Sequence, residues 1–341
     1  MNIREALAKV VAKENLNQEE MHGVMTEIMT GQATAAQIGG FLVALRMKGE
    51  TIDEVTGAAQ VMRDLATPVS VNAENLVDTC GTGGDGANLF NVSTASAFVV
   101  AAAGGHVAKH GNRAVSSSTG SADVLEHAGV NLSIPPDAVA RAIEEVGVGF
   151  MFATAHHGAM KHAIGPRKEL GMRTIFNMLG PMTNPAGVKR QVLGVFDSGL
   201  CRPLAEVLGR LGSEHVMVVC AEDGLDEISV SSKTIVAELK NGAVTEYTID
   251  PSDYSLAYPD LSGLSVNSAD ESLSLINKVF AKVDGSEKAR DIITINAGAA
   301  IYVAGLAGSL ENGIAMAEDA IASGAAKEKL KELVEFTSLV K

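Results

Sequence analysis

Residues 78–94 read DTCGTGGDGANLFNVST, and the succession of residue types there decides the fold. A short apolar run over residues 75–80 predicts a strand. Gly81, Gly83, Gly84 and Gly86 make the turn that follows, and Asn91 to Thr94 open a small-residue helix, STASAFVVAAA. Strand, glycine turn and helix is an arrangement that binds phosphate. Glycines let successive backbone N–H groups face one concavity, and the helix N-terminus adds positive partial charge. The stretch is read neither as a Walker loop, whose GxxxxGK[ST] spacing is absent, nor as a dinucleotide fingerprint. Taken alone, it also fits a tight structural turn.

Composition bounds what surrounds this unit. At 341 residues, 46% hydrophobic and 20% charged, the chain can bury a large core, and two lobes are expected. The net charge of −14 argues against broad nucleic-acid binding. An anionic substrate therefore needs a local patch of N–H groups, Lys, Arg or metal. Cys80, Cys201 and Cys220 lack metal-ligand spacing and read as free thiols in a reducing cytoplasm. The first residues, MNIREALAKV, are unlike a secretory signal, and no apolar run reaches transmembrane length.

Upstream of the glycine turn, residues 1–66 read as four helices. Asn17 with Glu20 and Thr51 with Glu54 are cap-like pairs, and Met21, Val24, Met25, Ile28 and Met29 form an apolar stripe. Helices this short cannot hide all their apolar faces among themselves, so packing on the other lobe or on another subunit is expected. Thr67-Pro68 ends the bundle. Downstream, strands over 75–80, 105–109, 148–152, 191–197 and 215–220 alternate with helices. This predicts an α/β domain with a mainly parallel central sheet flanked by helices, ligands gathering at the strands' C-terminal ends. Residues 233–249, with Asn241-Gly242 between two apolar runs, predict a β-hairpin. The chain from Ala269 onward reads as helices. Residues 156–190 break the alternation with Gly165-Pro166, Gly180-Pro181 and Asn184-Pro185, and read as short helices and turns returning to the helical lobe. The expected division is a helical domain of residues 1–70 with a return segment near 166–188, and an α/β domain of residues 73–165 and 189–341.

Three clusters follow candidate strands. GTGGDG is the first. The second, Lys109-His110-Gly111-Asn112-Arg113, offers a cation, an imidazole and an amide where a turn is expected, with Ser116, Ser117, Ser118, Thr119 and Ser121 supplying hydroxyls beyond it. A solvated basic turn is the lesser reading of the KHGNR cluster, whereas a plain serine loop fits the hydroxyls equally well in isolation. In the third, DGLDE, Asp226 and Glu227 are adjacent carboxylates with Asp223 nearby. Alone they are an acidic turn on an acidic protein, whereas beside a phosphate site they suit Mg²⁺, with the Ser93 hydroxyl on a second ion. His156, His157 and His162 have neither HExxH spacing nor a cysteine partner and read as packing or hydrogen-bonding groups.

Together these clusters resemble the anthranilate phosphoribosyltransferase family. The match runs in order through DTCGTGGDG, NVST, KHGNR, the serine loop, GPRKELGMRTIFNMLGPMTNPA and DGLDE, and covers nearly the whole chain. The resemblance implies a small helical domain and a large α/β domain with the active site between them, and a homodimer formed through the helical domain. It also implies Mg²⁺-dependent transfer of phosphoribose from phosphoribosyl pyrophosphate (PRPP) to the anthranilate amine, with two ions. Carried over by motif, Gly81, Gly84, Asp85, Asn91, Val92, Ser93, Thr94, Lys109, His110, Gly111, Asn112, Arg113, Ser116, Ser117 and Ser121 bind PRPP. Gly81, Asn112 and Arg167 contact anthranilate, Arg167 through its carboxylate. Ser93, Asp226 and Glu227 bind Mg²⁺. Positioning and metal carry the reaction, and His110 is the candidate for any proton transfer. Two departures stand out: Leu89 occupies the place of a small hydroxyl residue, and Ser118-Thr119 that of Lys-Ser, which removes a cation.

Two other readings share the two-lobed plan. A pyrimidine nucleoside phosphorylase would use free phosphate and lacks DGLDE in this form. A nucleic-acid-binding relative would need a basic face, against a net charge of −14.

Overall fold

The computed structural model describes residues 1–114 and 118–340. The chain opens with four helices, α1 (Ile3–Val11), α2 (Gln18–Met29), α3 (Ala35–Lys48) and α4 (Ile52–Asp64). Each begins in a reciprocal cap: the side chains of Asn2, Asn17, Thr34 and Thr51 accept from the first-turn backbone, and Glu5, Glu20, Gln37 and Glu54 return the bond. Each such cap is worth about 1 kcal/mol. Glu54 is fully buried and accepts from the N–H groups of Leu16 and Thr51 and from the Lys48 ammonium, so its charge is matched inside the bundle.

After the bundle come β1 (Leu76–Gly81), α5 (Val92–Ala102), β2 (His106–Gly111), α6 (Ser121–His127), α7 (Pro136–Val146) and β3 (Val148–Phe152). Three short helices follow, α8 (Ala153–His156), α9 (Lys161–Leu170) and α10 (Phe176–Leu179), then β4 (Arg190–Gly194), α11 (Cys201–Arg210) and β5 (His215–Ala221). The hairpin of β6 (Thr234–Lys240) and β7 (Ala243–Ile249) turns at Asn241-Gly242, both with positive φ, as a primed two-residue turn requires. The chain ends in α12 (Ala269–Phe280), α13 (Glu287–Ala304), α14 (Leu310–Ala322) and α15 (Ala325–Leu339).

The sheet runs β3-β2-β1-β4-β5-β6-β7, parallel through β5 and antiparallel across the hairpin. Alternate residues feed two cores. Val107, Val192, Met217 and Val219 join the core under α5 and α13. Leu193, Val216, Val218 and Leu239 join a core made with α11 and the N-terminal bundle. A sheet buried on both faces explains the nearly unbroken apolar strands. The protein is therefore an N-terminal helical domain on a large α/β domain with a mostly parallel central sheet. Ala163 of α9 and Phe176, Met178 and Leu179 of α10 share a core with the N-terminal helices.

Two local expectations differ from the structure. Gly165-Pro166, read as a turn, lies inside α9. His110 and Gly111, expected beyond the second strand, are its last two residues, paired with Met151 and Phe152 of β3. His110 is buried, so satisfying its backbone in the ladder outweighs the preference of a polar side chain for a turn.

Candidate active site

The site begins where two strands part. β1 and β2 pair only at Leu76↔His106 and Val77↔Val107, after which β1 turns to β4, from Asp78↔Gln191 to Gly81↔Gly194. Backbone groups freed by this divergence must find other partners. Side chains supply them. Lys109 Nζ donates to the Thr79 carbonyl at 2.6 Å and to Ser93 Oγ at 3.2 Å. Asn184 Nδ2 donates to the Ala108 carbonyl and to Asp78 Oδ2, both at 2.8 Å. Asp78 Oδ1 accepts from the His110 N–H at 3.3 Å. Burial pushes the Asp78 carboxyl up, and the Lys109 ammonium opposes that shift. The sequence reading assigned Lys109 to the ligand and missed Asp78 and Asn184, because nothing local says that two strands will separate there.

Above the gap lies the glycine turn. The letters GTGGDG satisfy GxGxxG, but α5 starts only at Val92, whereas fingerprint glycines open the helix directly. Gly83, Gly84 and Gly86 all have positive φ. The Gly83 N–H donates to Asp226 Oδ2 at 2.6 Å. The N–H groups of Gly84, Asp85 and Gly86 have no acceptor among the described residues. Three consecutive N–H groups are thus left free to meet an anion.

The DGLDE turn folds down onto the ends of β1 and β4. A Cβ on Gly81 would overlap the Asp226 carboxylate, and one on Gly194 would overlap the Asp226 carbonyl. Glu227 Oε1 accepts from the Ser93 N–H at 3.2 Å, joining this turn to the start of α5. Burial, then the neighbouring Asp85 carboxylate, pushes Asp226 up to about 6. Burial, then Asp226, pushes Glu227 up to about 8. Two half-buried carboxylates that repel each other suit a cation. Asp223 does not join them: its Oδ2 accepts from Ser229 and Ser231 hydroxyls at 2.6 and 2.7 Å, which shapes the turn. Just past Glu227, the Asn296 amide grips Ile228, accepting from its N–H at 2.9 Å and donating to its carbonyl at 2.8 Å.

The remaining sequence-derived residues spread around this centre. His110 packs against His157 with ring centroids 5.1 Å apart, and Nε2 of each is buried without a partner among the described residues. Burial pushes them down to about 3 and about 4, so both rings are neutral. His156 Nδ1 meets the Thr67 carbonyl at the exit from the bundle, and His162 packs against Gly31. The Asn112 carbonyl accepts from the Ala122 N–H at 3.2 Å and the Ser121 hydroxyl at 3.4 Å, tying the end of β2 to α6. Arg113 pairs with Glu126 at 2.8 Å. The Ser118 N–H donates to Asn88 Oδ1 at 3.1 Å, linking the serine loop to the glycine turn. Ser116 and Ser117 lie outside the described residues. Asn91 caps α5 by position and receives the Ser272 hydroxyl, while Val92 and Thr94 are buried in its first turn. Leu89 bridges to Ser265 and packs on the main core. Arg167, on α9, lies over the Phe176 ring at 5.0 Å. The arginine that reaches the glycine turn is Arg173, which was not singled out.

The chain matches the glycosyl transferase family, a/b domain, over residues 73–327, and the helical bundle domain of that family over residues 4–66. Fold and site thus define the class, a glycosyl transferase built from a helical bundle and an α/β domain. The anthranilate phosphoribosyltransferase of Teredinibacter turnerae is 74% identical over 341 residues, 99% of this chain and 100% of that one. The chain belongs to the anthranilate phosphoribosyltransferase family and is a pentosyltransferase. The crystal structure of the Thermus thermophilus member is 42% identical with a TM-score of 0.92, covering 98% of this chain and 99% of that one. A solved structure of the Saccharomyces cerevisiae member in complex with PRPP and Mg is 25% identical, with a TM-score of 0.89 and 98% of each chain covered.

Proposed function

We propose that this chain transfers the 5-phosphoribosyl group of PRPP to the amine of anthranilate, giving N-(5-phosphoribosyl)anthranilate and pyrophosphate, as a cytoplasmic enzyme of tryptophan biosynthesis. The observation that carries the reading is the run of free Gly84, Asp85 and Gly86 N–H groups beside the half-buried Asp226–Glu227 pair. These N–H groups and carboxylates make one site for an anion that arrives with divalent cations. Asp226 and Glu227 would hold Mg²⁺, with Ser93 contributing to a second ion. Among the described residues no three His, Cys, Asp or Glu side chains converge on one ion, so water and phosphate oxygens would have to complete the shell of a bound Mg²⁺, as that ion prefers. When bound, Mg²⁺ supplies charge neutralisation on the departing pyrophosphate.

The chain's own groups do the rest. The free N–H groups and the N-terminus of α5 receive the pyrophosphate and stabilise the charge that grows as the glycosidic bond breaks. Lys109 holds Ser93 and the end of β1 in register. Asn112 and the serine loop close over the ribose and its phosphate. Arg167 pairs with the anthranilate carboxylate and turns the amine toward the ribosyl carbon. The neutral, buried His110–His157 pair offers no strong base. None is needed, because the amine becomes acidic once it is bonded.

The functional division is a helical lobe of residues 1–70 with 166–188 and a PRPP-binding lobe of 73–165 with 189–341. Exposed Val11 and Met47 on α1 and α3 support a homodimer formed through the helical lobe. The test is loss of anthranilate fluorescence on adding PRPP and Mg²⁺. A signal unchanged when all three are present would overturn the proposal.

A further inference from the structure

Arg173 lies between α9 and α10, on the segment that shares a core with the N-terminal helices. Its side chain leaves that segment for the glycine turn. The guanidinium stacks on the Phe196 ring, 3.8 Å from the centroid, and Nη2 donates to the Gly84 carbonyl. It forms no ion pair among the described residues, so its charge is spent on the turn alone. A Cβ on Gly84 would collide with the guanidinium, so the close approach needs this glycine. The peptide between Gly84 and Asp85 is planar and trans, so its C=O and N–H point in opposite directions. Drawing the Gly84 oxygen toward Arg173 therefore aims the Asp85 N–H the other way, and that N–H is one of the three left free. Gly84 can hold this orientation at φ +84°, but glycine also has the most alternatives to it.

We infer that Arg173 is a positioning residue that locks the Gly84–Asp85 peptide so that its N–H is aimed before pyrophosphate arrives. The inference rests on the reading of GTGGDG as the pyrophosphate site. Phe196 supplies the flat face on which the guanidinium rests while it donates to the carbonyl. A planar guanidinium can stack and donate together, which a lysine ammonium cannot do as well. Because Arg173 follows Arg167 on one segment, the lock also joins the lobe that holds the acceptor to the turn that holds the donor's leaving group.

The experiment is calorimetric titration of inorganic pyrophosphate with Mg²⁺ into wild type, Arg173→Ala, Arg173→Met and Arg173→Lys, with steady-state kinetics alongside. Losing one charge-assisted hydrogen bond predicts about 10- to 100-fold weaker pyrophosphate binding in Arg173→Ala. The KM for PRPP should rise similarly, with the KM for anthranilate within about threefold. Arg173→Met keeps the packing on Phe196 but not the donor, and should match the alanine variant. Arg173→Lys should recover part of the loss. Should a variant fail to fold, Phe196→Leu, which leaves the arginine without its stacking face, should weaken pyrophosphate binding without altering the KM for anthranilate. Wild-type affinity in Arg173→Met, or equal losses for both substrates, would overturn the inference while leaving the site reading intact. A wild-type protein that binds no pyrophosphate would overturn both.

Discussion

Replacing Asp78 with asparagine tests whether the gap between β1 and β2 is held open by charge. Both carboxylate oxygens face donors: Oδ1 receives the His110 N–H, and Oδ2 receives the amides of Asn184 and, at 3.5 Å, Gln191. An asparagine must therefore turn its NH₂ toward one donor or the other, whichever way it is flipped. A charged acceptor is lost and a buried N–H is left unpaired, each costing about 1–3 kcal/mol. Lys109, buried beside it, also loses a compensating charge. The sum is on the order of 3 kcal/mol. Unfolding entropy grows by about 2 cal/mol/K per residue, so for 341 residues the expected fall in Tm is roughly 4 °C. Thermal melts of the Asp78→Asn, Lys109→Met and double variants measure it. The double variant should be more stable than the two single losses added together, because it removes both charges. An Asp78→Asn variant within 1 °C of wild type would mean that the carboxyl is already protonated in the folded protein, and the charge argument would fail.

Arg167→Ala should raise the KM for anthranilate roughly 30- to 150-fold, equivalent to about 2–3 kcal/mol, and leave that for PRPP nearly unchanged. Steady-state kinetics with each substrate varied decides this, and equal losses would mark a folding role instead. Asp226→Asn with Glu227→Gln should abolish most turnover yet leave a folded protein no less stable without Mg²⁺, since the metal-free pair is mutually repulsive; retained activity at limiting Mg²⁺ would refute the metal assignment. Met47→Glu with Val11→Lys should shift light scattering from dimer to monomer, and a wild type monomeric at micromolar concentration would end the dimer proposal. Burial pushes His110 and His157 down to about 3 and about 4 in the folded chain, against 6.5 when free. The two histidines of the unfolded chain therefore bind more protons between about pH 4 and 6.5, and the stability they contribute falls as pH drops through that window, against the opposite contribution of the raised Asp226 and Glu227. His157→Gln should flatten the fall, and melts at pH 5 and 7 that keep the wild-type difference would count against it.

The glycine turn, the parallel strands, the capped helices and the Asn241-Gly242 hairpin were legible in the sequence because each is set by neighbours along the chain. Glycines in a turn, an Asn or Thr three residues before Glu or Gln, and apolar runs of strand length act locally. The acidic pair of DGLDE and the basic KHGNR could likewise be singled out by composition, and the resemblance joined them into one site. Their geometry could not be read that way. His110 and Gly111 end a strand instead of forming a turn because β3 offers them a ladder. Gly194 is required because the Asp226 backbone lies against it, and Asn296 matters because it grips Ile228 from α13. Asn184, Asp78 and Arg173 acquire their roles from two events without a local signal, the parting of β1 from β2 and the packing of residues after α8 against the N-terminal helices. The sequence determined which chemistry the chain carries. Only the tertiary structure decided which buried polar groups hold it in place, because a freed backbone group takes whatever partner the fold brings within reach.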